Sequence, residues 1–298
     1  MPNGGVPGEW YSPTQPFPAK PPAYDRQGTS IDDLIDFTPE LRGEAEKLAS
    51  KYKLGPIFTP PVVSKREGPL GTLASPGALG GTNWPGGSYD PETHIVYVYS
   101  QHTIGTLGLV PPDSKTSDMN FVQGSALTGA RRTGGVGEFT GGARNPSGES
   151  TGPVVNVQGL PLLKPPYGRI SAIDLDKGEI LWQVAHGETP DIIRNHPALK
   201  GMKIPRTGRP GILGPLVTKT LVICGESGFF TTPSGVRGAM LRAYDKSTGN
   251  EVGAVYLPAP QSGSAMTYML KGKQYIVVAI SGASYSGELL AFRLPDEN

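Results

Sequence analysis

Apolar and polar positions alternate along residues 168–187, GRISAIDLDKGEILWQVAHG. Ile170, Ala172 and Asp174 fall on one side of a strand and Ser171, Ile173 and Leu175 on the other, the period of two expected of β structure. Residues 174–178 predict a turn, with a carboxylate placed to accept backbone N–H groups and a glycine where φ turns positive. Residues 179–184 predict a return strand that carries Trp182. A small Ala172 that leaves room and a large Trp182 that fills it predict a hairpin that docks on a neighbouring sheet. The pattern returns at residues 241–256, LRAYDKSTGNEVGAVY, with Ala243, Asp245 and Gly249 in the same places and Gly253 where the tryptophan stood. A repeated hairpin of this kind predicts a propeller.

The remaining β pattern sorts around these two hairpins. Residues 81–100 predict an inner pair of strands turning at 90–94, with His94 in the place of the usual turn glycine, a position histidine tolerates. Residues 214–224 give two strands ahead of the second hairpin. Residues 264–281 give a hairpin turning at Lys271 and Gly272, followed by one last strand at 288–294. At ~40–45 residues per blade the chain supplies about three blades, and a closed propeller needs about four or more. An incomplete ring is expected, its last blade one strand short.

One helix interrupts the pattern. Thr38 predicts an N-cap, Pro39 the first helical position, and Glu40 complements the dipole. Leu41, Ala45, Leu48, Ala49 and Tyr52 share a face, and Gly55-Pro56 stops the run. The expected organisation is an extended segment, surface helix and edge strand over 1–66. Propeller blades follow over 67–298, with a long polar, glycine-rich insertion at 103–166 that is expected to be mobile or ligand-facing. Residues 187–212 form another long excursion.

Composition agrees with turns between strands: 42 glycines and 31 prolines in 298 residues. A net charge of +1 gives no reason to expect nucleic acid as a partner. The single cysteine, Cys224, excludes an internal disulfide and any multi-cysteine metal site, and reads as a small buried side chain. No apolar stretch approaches the ~20 residues of a membrane span. Met1 is followed by PNGGVPGEW, so no secretory leader is expected.

The ordered series SPTQPF, FTPP, GGTNWPGGSYDPET, KPPYGRISAIDLDKGEILW, TGRPG, GPLVTKT, LRAYDKSTG and MTYMLKGKQYIVVAISG resembles the C-terminal part of pyrroloquinoline-quinone (PQQ)-dependent dehydrogenases. The likeness is to the glucose dehydrogenase-like branch and covers nearly the whole chain. It implies an all-β fold, about three of the eight four-stranded blades of a quinoprotein alcohol dehydrogenase-like propeller. It implies PQQ as cofactor, a Ca²⁺-type ion, a sugar or alcohol substrate, a quinone or cytochrome electron acceptor and a periplasmic location. The catalytic Asp, the metal ligands and the aromatic floor under the quinone lie upstream in the family, so no catalytic or metal residue is assigned to this chain. The resemblance therefore implies a portion inactive alone; a split enzyme, whose ring a separately encoded N-terminal half completes, and a simple truncation are both open.

The same resemblance places one sector of the quinone pocket here. Asn83 and Trp84 match the family's N-W position. Ser100 and Gln101 fall where relatives carry an amide that contacts the quinone. Leu213 and Gly214 match a wall that is tryptophan in the methanol branch, and Ser284 falls where relatives carry a ring-shaped lid residue that touches substrate. Structural roles stand beside these: Trp84 as interblade packing, Asn83 as a turn cap. Asp174 and Asp245 read as turn caps, His102 as an exposed loop histidine in preference to one facing the central pocket, and His186 and His196 as loop residues without metal-ligand spacing. Asp113, Asp118 and Glu138 bind a cation only if the insertion folds inward. The glycines of 134–142 lack the G-x-x-x-x-G-K-[ST] of a phosphate loop. The alternative function is a non-catalytic propeller used as a scaffold or docking module.

Overall fold

A computed structural model describes residues 2–77, 80–113, 117–130, 155–232, 234–283 and 285–295. Its centre is a meander in which each strand lies beside the next. The first blade runs from the inside outward through Gly87–Asp90, Ile95–Gln101, Gly168–Asp174 and Glu179–Ala185, all antiparallel. The second blade repeats this with Leu216–Val217, Leu221–Gly225, Arg237–Asp245 and Glu251–Leu257, with Phe230–Thr231 added beside the third strand. Among the described residues the third has Met266–Leu270, Lys273–Gly282 and Tyr285–Arg293. Among the described residues the three sheets do not close into a ring.

The turns form for the predicted reasons. Asp174 Oδ1 accepts from the N–H groups of Asp176 and Lys177 at 3.0 and 2.9 Å. Asp245 Oδ1 does the same for Ser247 and Thr248 at 3.0 and 2.9 Å. His94 takes φ 54°, and Lys271 and Gly272 take 50° and 76°, the left-handed pair of a tight hairpin. Ala172 lies opposite Trp182, and Ala243 opposite Gly253.

Two cores hold the blades together. Tyr97, Tyr99, Ile170 and Ala172 of the first blade pack with Val222, Cys224 and Tyr244 of the second. Ile223 and Leu241 of the second pack with Val278 and Ile280 of the third. Cys224 is buried, as its strand position predicts.

The helix Pro39–Ala49 is capped by Thr38, whose Oγ1 accepts from Leu41 N–H at 3.2 Å. Its stripe of Leu41, Ala45 and Ala49 is fully packed against Val157, Leu160, Leu162, Ile193 and Leu199. The helix thus anchors both long excursions. The 103–166 insertion is only partly what its polarity suggests: Gly105–Val110 is a strand that pairs with Val62–Val63, Thr72–Ala74 and Val122–Ser125. Alternation of Thr106, Gly108 and Val110 with Leu107 and Leu109 carried that signal, and the surrounding glycines obscured it. Glu138 and the glycine run at 134–142 lie outside the described residues.

Candidate functional site

In a meander the start of the first strand and the end of the second lie at one end of the sheet. The register places Gly87 opposite Val98, Leu216 opposite Ile223, and Met266 opposite Val277. Segments 80–86, 213–214 and 261–264 therefore gather at one axial end, together with the strand ends at Gln101, Gly225 and Gly282. Leu213–Gly214 pairs in parallel with Gly263–Ser264. Ser264 Oγ donates to Pro85 O at 3.0 Å, which joins the first blade to the third. Gly214 is where close approach demands glycine: a Cβ there would stand 2.6 Å from Pro85 O and collide with Ser264 Oγ.

Each predicted residue has a distinct place at this end. Trp84 is 97% exposed, so it takes no part in interblade packing. Asn83 Oδ1 accepts from Trp84 N–H at 2.7 Å and Asn83 O from Gly86 N–H at 2.7 Å, which makes this residue a turn former. Ser100 is fully buried at the end of its strand. Gln101 is buried too, its backbone N–H donating to Gly81 O at 2.8 Å and its Nε2 to Gly80 O at a longer 3.4 Å. Leu213 turns its side chain into the seam between the first two blades. The segments of Asn83, Trp84, Ser100, Gln101, Leu213 and Gly214 share one end of the blades, but only Trp84 presents its whole side chain. Ser284 lies outside the described residues.

Three polar residues escaped the sequence. Gln261 is buried, accepts from Gly225 N–H at 2.6 Å and donates to Gly214 O at 2.9 Å and Gly263 O at 2.8 Å. It ties the inner segments of the second and third blades, and nothing in its QSGS surroundings signals this. Asp25 and Arg26 sit in the proline-rich leader, where an Asp-Arg pair after a nearly uncharged run was the one available hint.

They find His102, which is buried rather than exposed: its ring lies 3.4 Å from Asp25 Oδ1 through Nδ1 and 3.2 Å from Arg26 Nη1 through Nε2. Burial pushes the imidazole pKa down, with Arg26 adding to it against the raising effect of Asp25. The ring is thus neutral, accepting from the guanidinium at Nε2. The Asp25 carboxyl is held below the ordinary range: burial would raise it, but His102, Ser100 and Arg169 together more than offset that.

His186 is likewise buried. Its Nε2 lies 2.9 Å from Gly225 O and its Nδ1 2.8 Å from Tyr244 Oη. Burial drives its pKa down to about 4, so the neutral ring donates to the carbonyl and accepts from the phenol. His196 instead caps the short turn at Pro197–Leu199. Among the described residues, no three His, Cys, Asp or Glu side chains come together as a metal site. No described helix is long and apolar enough to cross a membrane.

Comparison with known proteins matches residues 1–276 to the β-propeller domain of PQQ glucose/ethanol/alcohol dehydrogenases. The chain belongs to this PQQ-dependent dehydrogenase family. It is similar to a probable quinate dehydrogenase (quinone) of Xanthomonas campestris pv. juglandis, 28% identical over 97% of this chain and 34% of the relative. It is also similar to the quinoprotein glucose dehydrogenase of Escherichia coli K12, 27% identical over 100% of this chain and 35% of the relative. Among solved structures, the quinohemoprotein alcohol dehydrogenase of Comamonas testosteroni aligns at 19% identity and TM-score 0.43, covering 81% of this chain and 29% of that one. The chain thus spans about a third of the length of the curated relatives it matches.

PQQ is flat and carries three carboxylates, so a PQQ-family site needs a planar apolar face and cationic donors. The exposed Trp84 ring supplies the first. Arg169 Nε, and Arg209 Nε and Nη2, are buried without hydrogen-bond partners. Both arginines stand at this end, Arg169 opposite Ser100 and Arg209 with its N–H on His186 O at 2.9 Å. The residues present fit the cofactor.

Proposed function

We propose that this chain forms the C-terminal sector of the quinone pocket of a PQQ-dependent dehydrogenase that oxidises a sugar or an alcohol. The observation that carries the reading is the convergence of segments from three blades on one end that carries a bare indole and, buried in it, guanidinium nitrogens without hydrogen-bond partners. PQQ supplies the redox chemistry when bound, taking a hydride from the substrate. Trp84 offers the ring a stacking face, Gln101 an amide donor through its weakly engaged Nε2, and Arg169 and Arg209 charge for the carboxylates. Leu213 and Gly214 act by shape: the leucine fixes the strand from behind and the glycine lets three backbones meet. Ser284 would contact the substrate.

The catalytic Asp and the ligands of a Ca²⁺-type ion would come from outside this chain, from an N-terminal half that completes the propeller in the periplasm. Electrons would leave to a quinone or a cytochrome. On this reading the 298-residue chain binds PQQ without turning over substrate.

The test is titration of the chain with PQQ and Ca²⁺, alone and mixed with an N-terminal half, following quinone absorbance and dye reduction. Binding by the chain and turnover only in the mixture are expected. Turnover by the chain alone would overturn the division of labour. No binding in either case would leave the scaffold or docking module as the function.

A further inference from the structure

The N-terminal leader reaches into the quinone end at one point. Asp25 projects from an otherwise exposed, proline-rich segment, yet its side chain is only 8% exposed. Its Oδ1 lies 3.4 Å from His102 Nδ1 and 3.8 Å from Arg169 Nη2. Its Oδ2 lies 3.6 Å from where a Cβ of Gly81 would stand, and Gln101 O lies 3.7 Å from that same point. The carboxylate therefore packs beside Gly81 and the backbone of Gln101. The Ser100 hydroxyl, buried at the same strand end, has no hydrogen-bond partner of its own.

The neighbouring Arg26 fastens this arrangement from outside. Its Nη1 donates to Lys164 O at 2.9 Å and its Nη2 to Pro165 O at 3.1 Å, while Nη1 also meets His102 Nε2. His102 N–H donates to Tyr167 O at 2.9 Å. His102 is thus held through Nε2 and its backbone N–H, with Nδ1 facing Asp25 Oδ1 at 3.4 Å and with Ser100 and Gln101 immediately before it. Ser100 and Arg169 are cross-strand partners, so a charge that fixes one guanidinium also fixes the strand end opposite.

We propose that Asp25 is a positioning residue for the quinone wall: its carboxylate, held between His102 and Arg169, sets the conformation of Ser100 and Gln101. This rests on the reading of Ser100 and Gln101 as cofactor contacts. Asp25 itself touches no cofactor; it acts through the strand end.

The test compares Asp25→Asn and Asp25→Glu with the parent 298-residue chain at a temperature well below unfolding. Three readouts are taken: PQQ affinity and the bound-quinone spectrum, hydrogen exchange of the Gln101 amide, and the unfolding midpoint. Asp25→Asn should weaken PQQ roughly tenfold and speed Gln101 exchange by a similar factor, the scale of one charge-assisted hydrogen bond. It should leave amides of the third blade unchanged, and Asp25→Glu should restore part of the affinity. A lowered midpoint with unchanged affinity and exchange would make Asp25 merely structural and overturn the proposal.

If the parent chain binds no PQQ, the cofactor reading fails, and Gln101 exchange alone then decides the positioning claim: accelerated exchange keeps it, unchanged exchange removes it. Should Asp25→Asn not fold, His102→Gln removes the same clamp and is judged by the same three readouts.

Discussion

The two seams between blades are built from different materials. Between the first and second blades, aromatic and polar side chains stitch specific atoms together. Trp182 Nε1 and Tyr97 Oη both donate to Lys246 O at 3.1 Å, and Lys246 Nζ meets Asp90 Oδ2 at 2.6 Å. Ser88 Oγ donates to Pro215 O, and His186 bridges to Tyr244 and Gly225. The indole of Trp182 lies over Gly249, where a Cβ would stand 2.7 Å from the ring and φ is 73°.

Between the second and third blades the seam is mainly apolar, with Phe230, Ala239, Leu257, Ala259 and Val278 at its centre. At the outer rim Gly253 replaces the tryptophan, and a Cβ there would meet nothing within 4 Å. Directional contacts fix one relative placement of two sheets, whereas apolar contacts hold sheets together with less angular preference. The first seam therefore fixes the relative placement of its two blades, and the second relies on apolar contacts except where Gln261 and Gly263–Ser264 bond Gly225 and Leu213–Gly214 at the axial end.

Removing the rim tryptophan breaks the contrast most severely. Trp182→Ala should cost about 3 to 4 kcal/mol, the lower part of the range for a large aromatic side chain that also gives up a hydrogen bond. Urea unfolding measures it, and a loss below about 1 kcal/mol would mean the indole does not dock.

Acid sharpens the comparison next. The unfolded His186 takes a proton below pH 6.5, whereas the buried ring resists until about pH 4. The unfolded state binds more protons in that window, so stability falls as pH drops, by on the order of 3 kcal/mol. His186→Gln should flatten that limb in unfolding curves recorded across it.

Gly249→Ala comes third, at about 2 kcal/mol, because it adds a left-handed alanine and a clash with the indole. The smallest effect is expected at the other seam. Gly253→Ala at the equivalent rim should stay within about 0.5 kcal/mol of the parent chain. Equal costs at the two glycines, measured by the same unfolding curves, would erase the distinction between the seams.

Much of the first seam was legible in the sequence because it is written in a repeat. Ala172, Asp174, Gly178 and Trp182 stand at fixed spacing, and spacing is what periodic structure converts into position. The turn caps, the left-handed His94 and the helix cap at Thr38 were legible for the same reason: each is a local device whose partners lie within a few residues. The polar contacts at the axial end were not. Asp25, His102 and Arg169 meet across three separate parts of the chain, and Gln261 reaches backbone groups of two strands. No period or local motif relates such residues, so burial of His102 and His186 was hidden in segments that read as polar loops. Leu107 and Leu109 were obscured differently, by glycines that made a short strand resemble a linker.

The central claim is that PQQ docks against the end face where Trp84 stands bare. It is tested most directly by the protein's fluorescence during PQQ titration, in the parent chain and in Trp84→Phe, with inner-filter attenuation subtracted. The account predicts saturable quenching in the parent chain that is largely lost in Trp84→Phe and kept in Trp10→Phe, since Trp182 sits in the seam between the first two blades. Identical quenching in both proteins, or none that saturates, would contradict it.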